Sequence, residues 1–304
     1  MQMDKDILNK IDKLKKERNA VILSHFYQRP EIQDIADFIG DSLELSRKAA
    51  ETDANVVVFC GVHFMAETAS ILSPDKMVLL PNIGAGCPMA EMADYDGLLK
   101  LKEQHPDAYV VSYVNTTAEV KALSDICCTS ANAVKVVNTI PKEKEVIFVP
   151  DKNLGRYVEK MTGRNMIIWQ GYCNTHNKLS RLEVELTKER YPEAVILAHP
   201  ECREDVLDIA DGVFSTSGMI KFVKESNARE FIICTEDGIL HQLQKKYPDK
   251  KFILPSNKLV CPNMKKTKIE DVLESLENLR PEVKVPDDIR RKAIIPIKRM
   301  LDVK

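Results

Sequence analysis

The chain has 304 residues, 44% of them apolar and 30% charged, and a formal net charge of -2. That is length enough for two average domains or three small ones with real cores, and the balanced charge supplies no basic field for nucleic acid. The N-terminal MQMDKDILNKIDKLKKERN has no apolar signal-peptide core and no apolar run approaches a membrane span, so a cytoplasmic chain without a membrane partner is expected. In that reducing compartment the eight cysteines are read as metal ligands, catalytic thiols or small core residues rather than as disulfides.

Taken in chain order, an N-terminal helix leads into the strand AVILSHF (20–26), helical EIQDIADFI, and Gly40-Asp41-Ser42 opening a second helix. The strand NVVVFCG, another helix and the strand KMVLLPN follow, running into a loop with Cys87. The same order returns as AYVVSYVN (108–115), AEVKALSDI, Thr129-Ser130, EVIFVPD, NMIIWQG and Cys173. It returns again as AVILAHPE (194–201), REDVLDIAD, Ser215-Thr216-Ser217, EFIICTE, KFILPSN and Cys261. The first strands start 88 and then 86 residues apart, and the loop cysteines lie 86 and then 88 apart.

Apolar runs alternating with amphipathic stretches imply parallel sheets covered on both faces by helices. The period implies an α/β chain of three pseudo-symmetric three-layer αβα domains around a pseudo-threefold axis; one doubly wound domain without internal symmetry is the alternative. The expected units are 1–104, 105–191 and 192–269. The tail, with KIEDVLESLENL, Pro281, Pro286 and IRRKAIIPIKRMLDV, leaves the pattern. Its residues 270–304 are expected to pack back on the first unit.

Cys60, Cys127, Cys128 and Cys234 lie in or at the ends of apolar strands, where cysteine behaves as a small hydrophobe, and Cys202 is read the same way. Cys87, Cys173 and Cys261 stand apart in loops beyond the last strands, where an open α/β unit carries its ligands. A structural zinc site is closed by four ligands and usually shows short paired cysteine spacings, which these three lack. Three thiolates also suit a cubane iron–sulfur cluster, leaving one iron without a protein ligand and available as a Lewis acid for dehydration. His176, closing a zinc site with the three thiolates, is the alternative from the same residues.

The first strands end in His25 and Tyr27, in Tyr113 and Asn115, and in His199 and Glu201. Three strand ends carrying polar groups at matching places suggest a common pocket with proton-transfer capacity. Ser42, Ser130 and Thr216 precede helices, where hydroxyls cap free N–H groups and where anions bind. A small, multiply anionic substrate is therefore favoured. No Gly-x-Gly-x-x-Gly or Gly-Lys-Ser/Thr loop indicates a nucleotide cofactor or a nucleotide hydrolase.

VILSHFYQ with PEIQDIADFIGDSLELSRKA, GVHFMAETASIL, CPMA, YVNTTAE, CTSANAV, PDKNLGRYV, Cys173-x-x-His176, HPEC, STSGM and CPNMKK occur in that order across nearly the whole chain. In these motifs the sequence resembles the quinolinate synthase family of de novo NAD biosynthesis. The resemblance implies condensation of iminoaspartate with dihydroxyacetone phosphate to quinolinate, with loss of phosphate and two waters. It implies a [4Fe-4S] cluster on Cys87, Cys173 and Cys261, and a substrate pocket of His25, Ser42, Tyr113, Asn115, Ser130, His199, Glu201 and Thr216, with Tyr27 and His176 near it. Within that pocket Glu201 and His199 would move protons at the carbon framework, Tyr27 would assist enolisation, and His25 belongs with this catalytic set. Ser42, Ser130 and Thr216 would grip carboxylates and phosphate.

Transient contact with the oxidase or dehydrogenase that makes iminoaspartate is a further implied partner. Two positions depart from the pattern: Phe26 stands where Asn is expected, and the Cys173 loop reads Cys-Asn-Thr-His without an apolar residue before His176. Other readings of the same residues are a different cluster-dependent hydro-lyase acting on a small acid, or a non-catalytic iron–sulfur redox sensor.

Overall fold

The computed structural model describes residues 5–303. Its first sheet holds Ala20–His25 (β1), Phe38–Gly40 (β2), Val56–Cys60 (β3) and Met77–Leu79 (β4) in the order β2-β1-β3-β4. The second holds Tyr109–Tyr113 (β5), Ile126–Cys128 (β6), Val146–Val149 (β7) and Ile167–Ile168 (β8) in the order β6-β5-β7-β8. The third, Val195–Ala198 (β9), Gly212–Val213 (β10), Glu230–Cys234 (β11) and Lys251–Ile253 (β12), is ordered β10-β9-β11-β12. Every pair is parallel. The chain is α/β, three αβα-layered units with one topology repeated.

The strands read as unbroken apolar runs because alternate residues feed different cores. In β3, Val56, Val58 and Cys60 enter one cluster while Val57 and Phe59 enter the other. In β11, Ile232 and Cys234 face one side and Phe231 and Ile233 the opposite side. Burying side chains of this size contributes roughly 1.5–3 kcal/mol each, which explains why neither face tolerates a polar alternation.

One device recurs in all three units and is invisible as a motif. Asp37, Asp125 and Asp211 each accept the N–H of a central-strand residue (Ile22, Val110, Ile196) at 2.8 Å. Each returns its own N–H to that residue's carbonyl, at 2.9, 3.0 and 2.9 Å. The reciprocal pair satisfies backbone groups just where the second strand begins to pair with the first.

Each central strand stops sooner than its apolar run suggests, with Tyr27, Asn115, His199 and Glu201 in the turn beyond it. The turns close through Gln28 N–H to His25 O (3.0 Å), Thr116 Oγ1 to Tyr113 O (3.0 Å) and Cys202 N–H to His199 O (2.9 Å).

The tail corrects an expectation. Its helix Ile269–Asn278 lies on the N-terminal helix Lys5–Glu17 and β3, but Asp287–Asp302 packs chiefly on the second unit, against Ala118–Ala122 and β6, and only partly on His63–Leu72 of the first. Its buried Ala293, Ile297 and Met300 join a core fed by both units, and Asn132 and Arg47 bind carbonyls at its end, those of Met300 and Leu301. An apolar stripe matched to the seam between two units pulls the helix there.

The first and third units meet backbone to backbone. Gln33 Nε2 lies 2.9 Å from the carbonyls of Phe26, Gln28 and Gly238, and Lys265 Nζ donates to Tyr27 O at 2.8 Å. A Cβ on Gly238 would sit 2.7 Å from Phe26 O and from the Tyr27 backbone. Gly238→Ala should therefore push this seam apart and lower stability by about 1–3 kcal/mol. A denaturant midpoint unchanged from that of the parent chain would show the seam to be slack.

Candidate active site

One cavity of about 180 Å³ is lined by residues of all three units. It brings together all thirteen residues singled out from the sequence: His25, Tyr27, Ser42, Cys87, Tyr113, Asn115, Ser130, Cys173, His176, His199, Glu201, Thr216 and Cys261. The cysteines divide by accessibility. Cys87, Cys173 and Cys261 are partly accessible in the cavity wall, whereas Cys60, Cys127, Cys128, Cys202 and Cys234 are buried among apolar side chains.

The loops carrying the three thiols are positioned alike. His63, Lys152 and Asp237, just past the third strand of each sheet, donate their N–H to the carbonyls of Ala85, Gly171 and Leu259, all at 2.8 Å. Each acceptor stands two residues before its cysteine. Beyond the cysteine the chain turns back on itself, with Ala90, Asn177 and Lys265 donating to Cys87 O, Cys173 O and Cys261 O at 2.9, 2.9 and 3.2 Å.

Burial pushes the Cys87 thiol up to about 12, and the neighbouring Cys261 adds to this. Burial likewise raises Cys173 and Cys261. Thiols so disfavoured as anions are poor nucleophiles, but a cation among them would reverse the balance and hold all three as thiolates. The donor set therefore fits a soft metal centre. Cys173, His176 and Glu201 also place ligand atoms within 4.8 Å of one another.

In the same cavity, two histidines are locked in one tautomer. The N–H of Tyr27 is donated to His25 Nδ1 (3.1 Å) and that of Glu201 to His199 Nδ1 (3.3 Å), so each neutral ring carries its proton on Nε2. Burial lowers both rings to about 3, which keeps them neutral at ordinary pH. His199 Nε2 lies 3.2 Å from Ser130 Oγ, joining the third unit to the second.

Glu201 is the hub. Tyr113 donates its hydroxyl to Oε1 at 2.6 Å, and His176 Nδ1 lies 2.8 Å from Oε2. Burial would raise this carboxyl, but the His199 and His176 rings and the hydrogen bonds from His176 and Tyr113 outweigh it and hold Glu201 below the usual carboxylate range. Tyr27 and Tyr113 are pushed up, by burial first and then by the Glu201 charge, so both phenols keep their protons.

A directed chain of hydrogen bonds leads to this hub. Thr216 Oγ1 donates to the Tyr27 hydroxyl (3.0 Å), which lies 2.6 Å from Thr235 Oγ1, and that oxygen lies 2.8 Å from His176 Nε2. With Thr216 as donor at one end and the Glu201 carboxylate as acceptor at the other, each hydroxyl passes its proton direction toward Glu201. Thr235 is fully buried and was not legible in the sequence; at the matching positions of the other units stand Gly61 and Pro150. Asp151 and Glu236, which hold the cysteine loops from beneath, also escaped, although both sit two residues past a third strand, where Val62 stands in the first unit.

The hydroxyl residues need one correction. Ser42, Ser130 and Thr216 are not the helix caps. Asp41 caps Ser42–Glu51 in a capping box with Glu44, Ser215 caps Thr216–Glu225, and Asn132 stands before Ala133–Asn138 with its side chain on Thr129 N. Capping by a neighbour frees Ser42 and Thr216 to face the cavity, which Ser130 also lines. Phe26 is buried in the main core.

The chain matches the family model described as "Quinolinate synthetase A protein" over residues 9–302. It is 53% identical over 301 residues to the quinolinate synthase of Desulforudis audaxviator, covering 99% of each chain. It is 56% identical over 299 residues to quinolinate synthase 1 of Methanosarcina acetivorans, covering 98% of each. To the quinolinate synthase of Geobacter metallireducens it is 55% identical over 303 residues, covering 100% of this chain and 99% of the other. Agreement of that depth from end to end, on a chain whose repeats converge on one thiol-lined cavity, means that it belongs to the quinolinate synthase family.

Proposed function

We propose that this chain condenses iminoaspartate with dihydroxyacetone phosphate to quinolinate, releasing phosphate and two waters, in the cytoplasm. The observation that carries the reading is the convergence of Cys87, Cys173 and Cys261, one from each repeat, on the cavity that also holds Glu201. Relatives named quinolinate synthase match it from end to end. No helix among the described residues is long and apolar enough to cross a membrane. Iminoaspartate hydrolyses readily as an imine, so transient contact with the oxidase or dehydrogenase that makes it belongs to the same proposal.

The three thiolates would hold a 4Fe-4S cluster. When bound, it supplies a Lewis-acidic iron without a protein ligand, which lowers the cost of expelling hydroxide. The remaining work falls to side chains. His25 and His199 present neutral Nε2–H donors to substrate oxygens. Glu201 takes a proton from carbon onto a carboxylate oxygen, with Tyr113 and His176 hydrogen-bonded to its two oxygens. Tyr27 gives or takes a proton at its phenol oxygen during enolisation of the triose, and Thr235 and His176 link that oxygen to Glu201.

Ser42, Ser130 and Thr216 meet the carboxylates and phosphate at the helix ends, and Lys178 adds a cation at the cavity wall. Asn115 Oδ1 is buried without a hydrogen-bond partner among the described residues, which supports its accepting a bond from the ligand. A second reading, a zinc ion closed by His176, is favoured by the 3.2 Å from His176 Nδ1 to Cys173 Sγ. It requires the ring to release Thr235 or Glu201, and metal analysis separates the two.

Anaerobically reconstituted protein supplied with both substrates should form quinolinate; a chain with an intact cluster that forms none would sink the assignment in favour of another hydro-lyase or a redox sensor. Cys87→Ser, Cys173→Ser and Cys261→Ser should each abolish the brown chromophore, whereas Cys60→Ser and Cys234→Ser should leave it, as read by visible absorbance. Glu201→Gln should retain the chromophore and lose about 10²–10⁴-fold in turnover.

The neutral histidines also set an acid limit. An unfolded histidine takes up its proton near pH 6.5, whereas the buried His25 and His199 rings resist until about 3. The unfolded state thus binds more protons between these values. Stability from these rings is complete above pH 6.5 and declines as the pH falls toward 3. Thermal melts of the metal-free protein should show this decline, and a His25→Gln, His199→Gln double variant should show a shallower one.

A further inference from the structure

Each cysteine loop hangs from its sheet by the same main-chain bond, but a second support is present under only two of them. One residue before the donors His63, Lys152 and Asp237 stand Val62, Asp151 and Glu236. Asp151 Oδ2 accepts the N–H of Cys173 at 3.2 Å, and Glu236 Oε1 accepts the N–H of Cys261 at 3.0 Å. Both carboxylates are completely buried. Their other oxygens are also engaged: Asp151 Oδ1 caps the helix Lys152–Thr162 through the N–H groups of Asn153 (2.7 Å) and Leu154 (2.9 Å). Glu236 Oε2 accepts from Gly238 N–H at 2.8 Å, and Lys265 Nζ lies 2.9 Å from Oε1. Val62 is an apolar core residue and offers Cys87 no such acceptor.

A buried carboxylate whose two oxygens both accept from backbone N–H groups or a lysine is costly to bury and is held in one orientation by its donors. We propose that Asp151 and Glu236 are positioning residues that fix where the Cys173 and Cys261 thiolates stand, by clamping the amide of each cysteine to the end of the third strand. The inference rests on the cluster reading given above. It makes the three arms of the site unequal: Cys173 and Cys261 depend on a side chain beneath them, whereas Cys87 depends on its loop alone. Outer groups that orient metal ligands typically affect metal retention about 10–100-fold.

Asp151→Asn discriminates well. Its carbonyl oxygen stays on the two N–H groups of the helix cap, so folding is preserved, while its new NH₂ group faces the N–H of Cys173, donor against donor. Glu236→Gln removes one acceptor from the pair Cys261 N–H and Gly238 N–H and tests the third unit separately. Val62→Ala is the control in the first. Full-length variants reconstituted anaerobically would be challenged with excess iron chelator, and the decay of visible absorbance followed, with thermal melts of the metal-free proteins recorded alongside.

Decay about 10-fold faster or more in Asp151→Asn and Glu236→Gln, with Val62→Ala decaying at the parent rate and melts within a few degrees of the parent, is the expected result. Decay at the parent rate in either folded carboxylate variant, or equal acceleration by Val62→Ala, would overturn the proposal. If the parent chain itself takes up no chromophore, the cluster reading falls first, and that failure is distinguishable from a retained cluster indifferent to Asp151 and Glu236.

Discussion

A carboxylate buried beside three thiols of one cavity is the constraint to which the rest of the structure answers. Each such group, taken out of water alone, costs several kcal/mol in its charged form. Glu201 is stabilised because Tyr113 and His176 of the second unit reach it, and because the chain through Thr216, Tyr27 and Thr235 fixes which way the His176 proton points. Together these residues come from all three units. The site therefore exists only where three separately folded sheets are held in contact, and the tight seams are the structural consequence. At the seam of the first and third units Gly238 packs so closely on the backbone of Phe26 and Tyr27 that no Cβ would fit between them.

The threefold repeat supplies geometry, and departures from it supply chemistry. Asp37, Asp125 and Asp211 do one job three times, as do the main-chain bonds that suspend the cysteine loops. Position by position, however, the groups facing the cavity differ. His25 and His199 repeat, but Tyr113 replaces the histidine in the second unit, and Thr235 stands where Gly61 and Pro150 stand elsewhere. A symmetric pocket would present the same group three times to a substrate with different ends; substitution at matching places gives acids, bases and donors in defined relative positions.

The helix ends show how a small reassignment matters. Had Ser42 or Thr216 been the caps, their hydroxyls would be committed to backbone N–H groups. Asp41 and Ser215, one residue earlier, take that role, and the hydroxyls behind them turn to the cavity. Local helix chemistry and ligand contact are thereby separated by a single residue. The same economy holds at the turns after the central strands, where the backbone N–H of Tyr27 and of Glu201 sets a histidine tautomer while its side chain faces the site.

Periodicity was enough to reveal the α/β class and the repeat, because a parallel sheet covered on both faces needs apolar residues at consecutive positions and helices between. Loop placement singled out Cys87, Cys173 and Cys261, since a thiol outside a core has no packing reason to be there. Asp151, Glu236 and Thr235 were illegible for the opposite reason: a buried polar residue is recognised only by the partner that satisfies it, and those partners lie 22, 25 and 208 residues away in the chain. The final helix was readable as amphipathic, but its place between two units depended on which seam offered a matching apolar surface. Composition and spacing thus determined the elements and the chemistry available. Tertiary contact decided the tautomers, the charge of Glu201 and the support beneath each cysteine, because those depend on distances between groups that only folding brings together.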